Sequence, residues 1–260
     1  MLAQSAPANP WFSWDYVRDN SQDILTALEQ HVTLTVQTIL LGTLIAVPLA
    51  LVARRWRWLA GPILGVAGVM YTIPSLALFA FLAPFTGVTN PRTVLIGLVL
   101  YALLVLVRNI IAGLDGVPED VREAARGMGY GPARMLLRIE LPVALPAIMA
   151  GVRIATVSTV ALVTVGVITG NGGLGQLIIR GFANNFYRAE IMTATVLCLA
   201  LALTADVVLA GLTRVLSPWT RSRAARAATR TSWRRPSPGS TTRPTGRGAP
   251  AWFTSPSSTC

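Results

Sequence analysis

Two side chains stand out for the medium around them. Arg153 and Asp206 each interrupt an otherwise uncharged apolar stretch, residues 145–169 and 191–213 respectively. An unpaired charge at that depth costs about 2.5–3.5 kcal/mol on insertion scales, so each calls for an opposite charge nearby. Asp206 is expected to pair with Arg153 or with Arg108, which closes another apolar stretch together with Asn109. Fastening a bundle is the preferred meaning of such a pair, ahead of a gating role. Few other residues offer chemistry. His31 is the single histidine, which removes most zinc sites and histidine-based catalytic sets. Cys198 lies in an apolar run and Cys260 at the last position, so neither a disulfide framework nor a thiolate metal site is expected. All 22 basic residues are Arg. The string Gly170-Asn171-Gly172-Gly173-Leu174-Gly175-Gln176 could suggest a phosphate cradle, but it lacks the Lys and the hydroxyl that a P-loop needs. No catalytic residue, bound cofactor or metal ligand is expected.

The elements that hold these residues follow from composition. Hydrophobic residues make up 53% of the 260 and charged residues only 13%, with a mean hydropathy of +0.56. A soluble domain carries about a quarter charged residues, so an all-α integral membrane protein is expected. Residues 32–53 are an uncharged run of 22, enough at about 1.5 Å per residue to cross roughly 30 Å of hydrocarbon. Residues 59–85 form a second run, which holds Pro62, Pro74 and Pro84, so a straight helix is not expected there. Such breaks are tolerated where other helices or a cavity satisfy the freed carbonyls. Residues 93–107 form a shorter run between Arg92 and Arg108, whose long side chains can reach the two interfaces. With 145–169 and 191–213 this makes about five transmembrane helices.

The net charge of +11 belongs mostly to one end. From Arg214 onward there are nine Arg and no acid, whereas residues 1–213 hold 13 Arg against 11 Asp and Glu. With the N-terminus outside, Arg54, Arg55, Arg57, Arg122, Arg126, Arg134, Arg138 and the tail all fall inside, as the positive-inside rule prefers. Residues 1–10 have neither a basic n-region nor an apolar h-region and do not read as a secretory signal. Trp11, Phe12, Trp14 and Tyr16 follow, in a lead-in helix expected to anchor at the interface. Residues 221–260 are rich in Ser, Thr, Pro, Gly, Ala and Arg and are expected to be disordered. A polybasic contact with anionic lipid, nonspecific nucleic-acid contact and an incidental extension all remain open for them, and no specific nucleic-acid partner is assigned.

Residues 115–144, between the third and fourth runs, have an internal order of their own. Val117-Pro118-Glu119-Asp120 reads as a helix start, with acids near the positive end of the dipole. Gly127, Gly129 and Gly131 break that helix, and Pro132 can begin a second one, expected to end at Pro142. Two short helices around a glycine-rich turn suit docking into a partner's groove; a plain connecting loop on the bilayer is the equal alternative.

Glu123-Ala124-Ala125, Gly129, Ile139, Leu141 and Pro142 match every fixed position of the signature E-A-A-x3-G-x9-I-x-L-P. On these residues the chain resembles the permease subunits of binding-protein-dependent ABC importers, across roughly residues 25–215. The resemblance implies the permease fold, with a cytoplasmic coupling-helix loop that inserts into a cleft on a separate ATPase. It implies that Glu123, Ala124, Ala125, Gly127, Gly129, Ile139, Leu141 and Pro142 form that coupling interface. It also implies an extracytoplasmic substrate-binding protein and a second permease subunit, identical or similar, in a cell membrane. Residues 1–30 are then an extracytoplasmic or interfacial segment, 31–216 the transmembrane permease region and 217–260 a basic tail.

Thr72-Ile73-Pro74-Ser75-Leu76-Ala77-Leu78, Leu103-Leu104-Val105-Leu106-Val107-Arg108-Asn109 and Gly172-Gly173-Leu174-Gly175 resemble permeases for glycine betaine, carnitine and choline, though amino-acid permeases share much of the signature. By the same resemblance the 170–176 string faces delivered substrate; a flexible outer turn is the alternative. A stand-alone secondary transporter would need several intramembrane acids and an internal repeat, and the sequence offers one central acid and no repeat.

Overall fold

Backbone removed from water must satisfy its own hydrogen bonds, so long apolar runs fold as helices. A computed structural model of the chain describes residues 9–218, and every regular element among them is helical. They are α1 (Trp14–Asp19), α2 (Ser21–Arg55), α3 (Arg57–Thr72), α4 (Ser75–Thr86), α5 (Pro91–Asp115), α6 (Glu119–Gly127), α7 (Pro132–Met135), α8 (Leu141–Val163), α9 (Leu174–Ala183) and α10 (Arg188–Leu216). A π turn, Leu136–Glu140, joins α7 to α8, and a 3₁₀ segment, Thr164–Thr169, extends α8. The basic tail beyond residue 218 lies outside the described residues.

Four helices are long and apolar enough to cross a membrane, and α3 with α4 makes a fifth if the bent pair is one span. The two arms of that pair meet at 99°. Of the three prolines in the run only Pro74 breaks it; Pro62 and Pro84 sit inside helices. The residue before a proline is driven out of the α region, and Ile73 is extended (φ −66°, ψ 128°). Its freed carbonyl accepts a hydrogen bond from the Tyr101 hydroxyl of α5.

Helix ends depart from the apolar counts. The third apolar run closes at Arg108, but α5 carries on to Asp115, and Arg108 is an exposed residue inside the helix. The first long helix starts at Ser21, so residue 30 lies within it. The second helix of the 115–144 segment does not end at Pro142: it runs through the π turn and past Pro142 and Pro146 into α8. The physical reason is local. The Leu141 amide bonds back to Leu136 O, an i→i−5 step that widens the turn just where Pro142 has no amide to offer.

α5 runs through the centre of the bundle, packed on α2, α8, α3 and α4. Small residues let the backbones approach. Gly42, Ala46 and Ala50 share one face of α2 at four-residue spacing, and a Cβ on Gly42 would lie 3.1 Å from Leu106 Cδ1. The core between α2, α5 and α8 is Ala46, Ala50, Ala102, Leu106, Ile110, Ala144, Ile148 and Val152 with their neighbours. At the other end Tyr16, Ile24, Leu174, Leu177 and Ala189 pack α1, α2, α9 and α10 together. There Arg180 pairs with Glu190, which is buried, and with Asp23 at 2.9 Å.

Candidate functional site

The first turn of α6 carries Glu119 and Asp120, which meet the positive end of the helix dipole. Its C-terminus shows why a glycine falls where it does. Tyr130 N–H bonds to Ala125 O at 3.1 Å and Gly129 N–H to Arg126 O at 2.9 Å, the paired bonds of a Schellman cap. Gly129 takes the left-handed conformation this cap requires (φ +77°). The other expected coupling residues on α6 divide by face: Ala125 is buried, whereas Glu123, Ala124 and Gly127 are exposed. Next to them Met128 is 67% exposed, a large apolar side chain turned away from the bundle. Ile139, Leu141 and Pro142 are not on this surface; they lie on the other arm, where the chain enters α8.

α6 is tied to the bundle by ions as well as by Ala125. Glu140, the last residue of the π turn, has a side chain only 8% exposed. Arg54, in the last turn of α2, donates to it twice, from Nη1 at 2.6 Å and from Nη2 at 2.8 Å. Arg122 of α6 donates Nε to the same carboxylate at 2.9 Å and Nη2 to Leu114 O of α5 at 2.8 Å. Arg54 also reaches Asp115 at 3.4 Å. Charge-assisted bonds of this kind contribute about 1.5–3 kcal/mol each. Removing one partner of a buried pair costs about 3–5 kcal/mol because the survivor is left unpaired. At the exposed edge Arg122 and Arg126 flank Glu119 and hold its carboxyl below the usual carboxylate range, chiefly through their hydrogen bonds.

Sequence reasoning missed Glu140, Arg54 and Arg122 as a unit. Glu140 occupies the free position between Ile139 and Leu141 in the signature, and its partner Arg54 is 86 residues away. The available signal was a lone acid between two apolar residues beside an Arg-rich stretch.

Asp206 meets Arg153, with Nε at 2.8 Å from Oδ1 and Nη2 at 2.7 Å from Oδ2. The fork is about one third exposed on both sides (36% and 35%). Arg108 does not pair with Asp206 and has no ion-pair partner among the described residues.

The 170–176 string is tightly held. His31, fully buried, receives Leu174 N–H at Nδ1 (3.3 Å) and lies 3.0 Å from Val160 O through Nε2. With Nδ1 accepting, the ring hydrogen must sit on Nε2 and donate to Val160 O. Gln30 binds Asn171 Oδ1 at 3.3 Å and Gly173 N at 3.2 Å, while Asn171 donates to Thr89 O at 2.8 Å. A Cβ on Gly175 would collide with the Thr164 backbone, so the close approach there requires glycine. Phe182, Phe186 and Tyr187 do not form a cage: Phe182 stacks edgewise on Phe186 at 5.3 Å, and Tyr187 turns to Tyr16 at 5.5 Å.

Residues 39–222 match the family described as binding-protein-dependent transport system inner membrane component. The chain belongs to this family. This inner-membrane component is 36% identical to the choline transport system permease protein OpuBB of Bacillus subtilis (strain 168) over 204 residues, covering 78% of this chain and 93% of that protein. It is also 36% identical to the osmoprotectant import permease protein OsmW of Salmonella typhimurium (strain LT2), over 78% of this chain and 96% of the relative. Its fold is that of a chain in inward-facing structures of the MetNI methionine ABC transporter, with a TM-score of 0.65 at 21% identity, covering 73% of this chain and 94% of that one. An inner-membrane component with several apolar helices is a multi-pass membrane protein, and its relatives are transport permeases.

Proposed function

We propose that this chain is the membrane-spanning subunit of an ATP-driven importer of quaternary-amine osmoprotectants such as choline, carnitine and glycine betaine. The observation that carries this reading is the 36% identity, over 78% of the chain, to permeases named for choline and osmoprotectant import. α6 is the handle: Glu123, Ala124, Gly127, Met128 and Gly129 dock into a cleft on a separate ATPase subunit, a helix-in-groove contact. Ile139, Leu141 and Pro142 carry its movement into α8. A second permease subunit completes the path, and an extracytoplasmic binding protein delivers the solute. The N-terminus faces outward and the Arg-rich end of α2 faces the cytoplasm. Closure of the ATPases shifts the population from inward- to outward-facing forms by binding one form better. A quaternary ammonium is best held in an aromatic cage; because Phe182, Phe186 and Tyr187 form none, selection falls to the binding protein. The Arg153–Asp206 fork fastens α8 to α10.

The test is reconstitution of the chain with its ATPase and binding protein in vesicles. ATP-dependent uptake of labelled choline or glycine betaine is expected, and Met128→Glu should abolish co-purification with the ATPase. Uptake of an amino acid but of no quaternary amine would reassign the solute. Uptake by the chain alone would overturn the reading.

A further inference from the structure

α6 and α7 form the outlying part of the fold, and a force applied to them reaches the bundle only through what joins them. The chain itself joins them to α5 through residues 116–118 and to α8 through the π turn, and Ala125 is buried against the bundle. The side-chain link to α2 is Glu140, whose one carboxylate holds Arg122 of α6 and Arg54 of α2, while the same Arg122 grips the Leu114 carbonyl of α5. The groups facing Glu140 are thus the two guanidinium ions; Asp115 and Glu119 sit on their far sides. Glu140 is also the residue at which the helix is widened by a π turn, a distortion that concentrates at functional sites. Displacing α6 while this carboxylate keeps both partners must therefore displace the ends of α2 and α5 together. Without it α6 can turn on the glycines around Gly129 and leave α2 behind.

We propose that Glu140 is a positioning residue, the latch that delivers movement of α6 to α2. This rests on the reading of α6 as the ATPase handle. Loss of the latch separates two quantities that a structural defect would lower together.

The experiment measures uptake and ATP hydrolysis in the same vesicles, with the full complex of permease, ATPase and binding protein. Glu140→Gln is expected to keep hydrolysis but to lower solute moved per ATP about tenfold, the scale of a single coupling interaction. Arg122→Gln leaves the Arg54–Glu140 fork in place and should give the same uncoupling if Glu140→Gln fails to assemble. Arg122→Lys, which restores the charge, should recover much of the ratio. Uptake and hydrolysis falling in parallel, or a ratio equal to wild type in both Gln variants, would overturn the latch while leaving the importer reading intact. Absence of ATP-driven uptake in the wild-type complex would instead overturn the importer reading, and the latch with it.

Discussion

His31 has a carbonyl at one ring nitrogen and an amide at the other, and no room to exchange them. Replacing it with Ala orphans Val160 O and Leu174 N–H in a buried site, a loss of about 1–3 kcal/mol. A thermal-shift assay in detergent should show the drop, and hydrogen exchange should rise first at residues 170–176. Gly129 presents the opposite case, a residue prized for conformation. Gly129→Ala must place a Cβ in the left-handed region, at about 1–2 kcal/mol, and nothing lies within 4 Å to resist it sterically. The expected outcome is faster exchange in the last turn of α6 and weaker retention of the ATPase, with the bundle's melting unchanged. Of the signature, Gly129 was legible because its role is local. Glu140 was not, since no spacing in the sequence reports a contact with a helix 86 residues earlier.

Among the elements, apolar run length located the long helices and misplaced their ends. A run stops at its first charge, whereas a helix stops only where its backbone bonds do; α5 accordingly carries Arg108 inside it and ends at Asp115. The prolines show the same distinction. Pro74 breaks its run because Ile73 is extended and a phenol on α5 takes up the loose carbonyl, while Pro62 and Pro84 break nothing. Tyr101→Phe removes that phenol and should destabilise the fold by about 1–3 kcal/mol, seen as a lower melting temperature in detergent. The paired guanidinium groups on Glu119 add a pH term to α6. A depressed carboxyl stabilises above the ordinary carboxylate range, and that contribution is lost as pH falls through its lowered value. Acid should therefore loosen the start of α6.

For the whole molecule, the proposed orientation rests on the distribution of charge. The Arg-rich end of α2 and the α6 handle lie together, joined by Glu140, and the His31 network occupies the other end of α2. With Cys198 and Cys260 replaced by Ser, a cysteine at position 128 should react with a membrane-impermeant maleimide only from the cytoplasmic side, and one at position 186 only from outside. Labelling of position 128 in intact cells would reverse the assignment.

The corner between α3 and α4 has a bearing on leakage. A carbonyl left bare at membrane depth draws in water, and a wet spot beside a broken helix is a stepping stone for ions. Tyr101 plugs the carbonyl at Ile73 from within the protein. While that bond holds, the break presents no bare carbonyl at Ile73 as a foothold for water or ions.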